Sequence, residues 1–176
     1  ISQMDCKMQL FRNVMESKTT YSRIHLLSGV DLPLKSQDYI HDFFKGRKEE
    51  FISISSPARF ARRLKYYHFF VRSRRKSKVV EGLRKLLIAI QIPFVNRLKS
   101  CPLPFAFGSN WCSLTMKAVC YLCDNVDKYR KYFTYSTSCD ELYKQMILSS
   151  NPSFIFSSPL EKDLRYVKFN HQPSPK

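Results

Sequence analysis

The sequence predicts an α/β layer arrangement. Strand-like and helix-like segments alternate through the first ninety residues. The 44% hydrophobic and 14% aromatic content, with four glycines in 176 residues, describes a folded segment able to bury a core.

The elements follow in order. Met4, Met8, Phe11 and Met15 recur at helical spacing, so residues 4–16 read as an amphipathic helix with a core-facing stripe. Ile24 to Ser28 reads as a short buried strand in which His25 is a core histidine, and Gly29 to Leu34 is the loop leaving it. Ser36 is placed to cap a helix over 37–44, with Gly46 beyond its end. Glu50 to Ile54 reads as a second strand. A basic, aromatic stretch from Arg59 to Phe70 precedes a helix over 78–90, which gathers Val79, Leu83, Leu86, Leu87 and Ile90 on one side.

Pro93, Pro102 and Pro104 make a connector, and Phe105 to Trp111 reads as a strand edge plus turn. Ser113 is read as the cap of a helix through Asp124, with a further helix over 127–133. Ser138 is read as opening a helix over 139–148, and residues 152–156 and 164–169 as closing strands.

Composition narrows function. A net charge of +16 attracts polyanions, phosphorylated substrates or an anionic membrane surface. It is concentrated between Arg59 and Lys85, where eleven basic side chains, among them Arg62, Arg63, Lys65, Arg72, Arg74, Arg75 and Lys76, face only Glu81. A solvated helix face or a peripheral membrane contact through 59–85 would each use that charge. Nucleic acid is not expected, because the aromatics fall in core-like patterns and no reader motif occurs. No Gly-rich phosphate loop, Walker pattern or His-Glu-x-x-His is present, which removes the common nucleotide-hydrolase and metalloprotease chemistries. Cys120 and Cys123 lack a second pair at zinc spacing, so the six cysteines read as free, buried thiols. The longest apolar run, 86–95, is interrupted by Gln91 and Pro93 and is too short to span a bilayer.

Two acidic positions draw chemistry. Asp31, in a Gly and Pro loop after a strand, would either orient a ligand hydroxyl or bond to its own turn. Ser138-Cys139-Asp140-Glu141 has the spacing of a capping box, a purely structural use of Glu141.

Four segments in order carry a family resemblance. Leu27-Ser28-Gly29-Val30-Asp31-Leu32-Pro33-Leu34-Lys35 resembles the loop after a central strand in the core 2 and I-branching β-1,6-N-acetylglucosaminyltransferases and the related peptide O-xylosyltransferases. Gly108-Ser109-Asn110-Trp111 resembles their Gly-Ser-x-Trp turn. Ser138-Cys139-Asp140-Glu141-Leu142-Tyr143 is similar to their acidic segment, and Leu164 to Phe169 to the strand that follows it.

The resemblance implies part of a GT-A-like nucleotide-sugar transferase fold with a mixed central sheet and flanking helices. It also implies metal-independent, inverting transfer of a sugar, N-acetylglucosamine first, from a UDP-sugar to a glycan hydroxyl. Glu141 takes the catalytic base, and Asp31, Trp111, Asp140, Phe169, His171, Arg62, Arg63 and Lys65 take substrate contacts. Phe169 and His171 stand where core 2 enzymes carry a tryptophan and a tyrosine beside the acceptor, a change that touches acceptor identity. The chain begins Ile-Ser-Gln-Met. It is expected to be a single partial catalytic domain, 1–176, with the donor-binding start before residue 1 and the phosphate-binding end after residue 176, and inactive or nearly so alone. Membrane association is expected, at a bacterial cytoplasmic face or in a secretory pathway. The competing expectation is a non-catalytic remnant or a basic membrane- or polyanion-binding module.

Overall fold

The structure is a computed structural model that describes residues 3–70, 77–161 and 164–166. Its elements run α1 (Gln3–Glu16), β1 (Arg23–Leu26), α2 (Gln37–Phe44), β2 (Phe51–Ile52), α3 (Ala58–Lys65), α4 (Lys78–Gln91), β3 (Cys112–Thr115), α5 (Met116–Phe133) and α6 (Tyr143–Ser149). Short 3-10 turns cover Arg97–Ser100 and Cys139–Glu141.

Helix dominates, and the sheet is small and open. Its order is β1-β3-β2, with β3 antiparallel to both neighbours. The expected mixed sheet is therefore not what the described residues form. Among the described residues, parallel pairing is confined to a single bridge between Glu50 and Phe156, where Glu50 N donates to Ile155 O and Ser157 N to Glu50 O.

The central strand explains the main correction to the sequence reading. Ser113 does not cap a helix. It lies in β3 opposite His25 and Phe51, because pairing to both flanking strands holds residues 112–115 extended. Thr115 caps α5 instead, its Oγ1 accepting from Ala118 N at 3.2 Å. With no Gly or Pro between 116 and 133, the two expected helices fuse into one 18-residue α5. His25 is not in the core: it is exposed, on the face of β1 away from Leu26, bonded to Ser113 Oγ at 2.8 Å and packed on Phe44.

The core collects Leu114, Ala118, Leu122 and Val126 with Met4, Met8 and Phe11 of α1 and Met146, Ile147 and Leu148 of α6. Met15, the last member of the predicted α1 stripe, is exposed. Arg23 shares the His25 face of β1 and is buried against Phe44 and Phe51, donating to Ser113 O at 2.8 Å and Arg47 O at 3.1 Å. Buried Glu50 accepts from Thr115 N at 2.7 Å, and its desolvation raises its carboxyl above the usual range.

α2 forms as its local signals demand. Ser36 Oγ accepts from Tyr39 N at 3.3 Å, and Gly46 takes φ +73° just past the end. α4 also forms where its period places it, but it buries no residue. Residues 164–166 are not strand, and the rest of that expected strand lies outside the described residues. The expected strand at 152–156 contributes only the Phe156 bridge. None of the six cysteines forms a disulfide: Cys112 is buried, Cys6 is exposed, and burial raises the Cys123 and Cys139 thiols to about 11. Among the described residues, no helix is long and apolar enough to cross a membrane.

Candidate active site

The site forms where the turn 108–111 meets the acidic segment 138–141. Gly108 carries the junction. Its amide donates to Glu141 O at 3.0 Å, and a Cβ placed on it would stand 1.7 Å from Ser53 O. Only glycine lets this turn approach the Ser53 backbone so closely. Gln145 Nε2 donates to Ser109 O at 2.7 Å, tying α6 to the same turn.

The capping-box expectation fails at Ser138. This residue takes the left-handed conformation, φ +50° and ψ +48°, and its side chain caps nothing. A serine held so costs about 1 kcal/mol or more, and the surrounding fold must impose it. Buried Ser136 and Thr137 do so, with Thr137 N donating to Arg63 O at 3.3 Å. The result is a 3-10 turn at Cys139–Glu141, separated by Leu142 from α6. Glu141 is thereby released from helix capping, and its half-buried carboxylate pairs through Oε2 with Arg63 Nη1. The Arg63 guanidinium carbon lies 4.7 Å from the Phe60 ring centroid and 5.0 Å from that of Phe107, two rings stacked at 4.0 Å.

Asp140 faces the opposite way, into a polar cluster. Asn110 Nδ2 donates to Asp140 Oδ2, Lys7 Nζ donates to Asn110 Oδ1, and Lys7 lies 3.6 Å from Asp140. Lys144 completes the cluster. It is fully buried, with its ammonium donating to Asp140 O at 3.0 Å and to Asn110 Oδ1 at 3.4 Å. Asp140 O is the carbonyl immediately before the Glu141 amide, so Lys144 pins the peptide that carries Glu141. Burial lowers the Lys144 ammonium to about 8 and also lowers Lys7, against the raising effect of Asp140.

Trp111 links this cluster to the Asp31 loop. The Arg165 guanidinium lies 4.6 Å from the Trp111 ring centroid and pairs with Asp31 Oδ1, while Lys7 Nζ approaches the ring to 5.7 Å. The Ser28 amide, donating to Asp31 Oδ2 at 2.8 Å, and then Arg165 hold the Asp31 carboxyl below its usual value. Of the two readings of Asp31, the bond to its own turn is what forms, and the carboxylate also holds a distant cation.

The structure thus links Asp31, Trp111 and Asp140 through Arg165, Lys7 and Asn110, while Glu141, the next residue, pairs separately with Arg63. Arg62, one residue away, lines a separate groove between α3 and α4. Lys65 lies over the neighbouring Tyr66 ring at 5.3 Å. Phe169 and His171 lie outside the described residues. Sequence reasoning missed Lys7, Lys144 and Arg165 as partners. The Asp140 to Lys144 spacing of four was the available signal; Lys7 and Arg165 act from 103 to 134 positions away and left no local one. Among the described residues, no group of three or more His, Cys, Asp or Glu side chains is placed to hold a metal ion.

No curated protein matches the chain. The family model described as Core-2/I-Branching enzyme matches residues 1–176, covering the glycine turn, the acidic segment and the Asp31 loop together. On that full-length match, the chain belongs to the Core-2/I-branching glycosyltransferase family.

Proposed function

We propose that this chain supplies the acceptor side and general base of an inverting transferase that moves N-acetylglucosamine from a UDP-sugar to a glycan hydroxyl. The observation that carries the reading is the release of Glu141 from the capping role that its spacing predicts. Its Oε2 is held by Arg63, so Oε1 meets the acceptor hydroxyl. As that hydroxyl oxygen bonds to the anomeric carbon, its proton passes to the Glu141 carboxylate and the bond to the UDP oxygen breaks, with UDP as leaving group. Arg63, fixed over Phe60 and Phe107, orients the carboxylate.

Lys144 and Asn110 act on position. They hold the Asp140 carbonyl and carboxylate, and so the turn bearing Glu141. Trp111 serves as the ring under Arg165 and Lys7. Arg62 and Lys65 stand in reserve as cationic contacts for phosphate, and no divalent metal is required for the proton transfer.

Transfer of labelled N-acetylglucosamine from UDP-N-acetylglucosamine to acceptors with a free 6-hydroxyl, by a protein in which this chain is completed with the expected donor- and phosphate-binding segments, tests the proposal. Glu141→Gln should lower the rate by about 10²–10⁴ while leaving the urea midpoint in place. Equal rates for the two forms would remove Glu141 from the base role. Absence of transfer and of UDP-sugar binding in that completed, unsubstituted protein would favour the non-catalytic reading.

A further inference from the structure

α4 presents an apolar face to solvent. Val79, Leu83, Leu86 and Ile90 follow at intervals of four, three and four, which places them on one side of the helix. Val79 is 79% exposed, Leu86 57% and Ile90 58%, and Phe94 just beyond the helix is 86% exposed. The inner face, with Arg84 and Ile88, lines the groove of about 380 Å³ shared with Arg62 and Tyr66. Gln91 fastens the helix end, accepting from Tyr67 N at 2.7 Å and donating to Tyr67 O at 3.1 Å. The exposed aromatic rings of Tyr67, Phe69 and Tyr135 pack together beside that anchor.

Charge says what covers this face. Lys78 and Lys85 are exposed on the flank of the apolar stripe, and Arg62 is exposed at the groove. Arg84 is held at the groove wall by Glu81. An aliphatic stripe bordered by long cationic side chains matches a surface that offers acyl chains and negative headgroups side by side. The +16 net charge adds long-range attraction of the same sign. α4 is too short to cross a bilayer, so the geometry is that of a helix lying in the plane of the surface.

We propose that α4 is a peripheral membrane contact. It lies in the headgroup boundary of an anionic bilayer, with Val79, Leu83, Leu86, Ile90 and Phe94 inserted and Lys78 and Lys85 on lipid phosphates. None of these residues contacts Glu141, so the inference stands or falls separately from the transferase reading.

Vesicle flotation of the whole chain tests it, with phosphatidylcholine alone and mixed with phosphatidylserine. The chain should float with the mixed vesicles only, and less as salt rises. Leu86→Glu with Ile90→Glu should weaken binding about tenfold or more, and Lys78→Glu with Lys85→Glu about tenfold. Both double variants should keep the parental urea midpoint, because the altered side chains are exposed. Binding unchanged by either pair, or equal on neutral vesicles, would overturn the proposal. So would concentration-dependent dimerisation abolished by Leu86→Glu with Ile90→Glu, or protection of α4 from hydrogen exchange without lipid.

Discussion

The turn 108–111 and helix α4 are both marked by their sequence pattern, yet they meet opposite fates. Around Gly108, three segments distant in sequence close on one another, and every residue from Leu142 to Leu148 is buried. On α4, four aliphatic side chains at ideal helical spacing cover nothing. An apolar or glycine pattern therefore tells which surface is available for contact. What meets that surface depends on the rest of the chain.

The largest test of this contrast lies at the junction. Gly108→Ala should cost about 3 kcal/mol or more, read as a lowered urea midpoint, because the added methyl collides with a backbone carbonyl that cannot rotate away. A loss below about 1 kcal/mol would mean that the turn is looser than the contrast requires.

Leucine truncation compares the two regions directly. Leu122→Ala, inside α5, should cost about 2–5 kcal/mol. Leu86→Ala, on α4, should stay within about 0.5 kcal/mol. Comparable losses would show that α4 is covered in solution.

Lys144 sharpens the comparison through pH. Its ammonium titrates at about 8 in the folded protein against 10.5 when exposed, so between these values the unfolded chain binds more protons. Stability attributable to Lys144 should therefore rise by up to about 3 kcal/mol as pH climbs through that window. Subtracting the same titration of Lys144→Met isolates the effect, and parallel curves would place Lys144 in water. The smallest effect belongs to α2. Ser36→Ala should cost about 1 kcal/mol or less, since that cap serves a helix with no buried residue.

Legibility followed the range of the interactions. α2 was readable with its cap because Ser36 and Tyr39 are three positions apart. β3 is not legible locally, and Ser113 reads as a helix cap, since the extension of 112–115 comes from partners near residues 24 and 51, far outside any local window. The site divided the same way. The Gly-Ser-Asn-Trp and Asp-Glu segments stood out as motifs, while Lys7 and Arg165 came to them only through folding. Ser138 shows the limit most clearly: its spacing to Glu141 suits a cap, and tertiary packing of Ser136 and Thr137 twists it into a left-handed turn instead.

By itself, the sequence determined the amphipathic periods, the Ser36 cap, the concentrated basic charge and the motifs that mark the family. These depend on side-chain chemistry and on separations of a few residues. Tertiary structure alone decided that β3 would be a central strand, that Lys144 would be buried beneath Asp140, that Glu141 would turn to Arg63, and that α4 would face outward. Each of those outcomes is a competition between a local preference of about 1 kcal/mol and contacts made by segments far away in the chain, and the distant contacts are the stronger term.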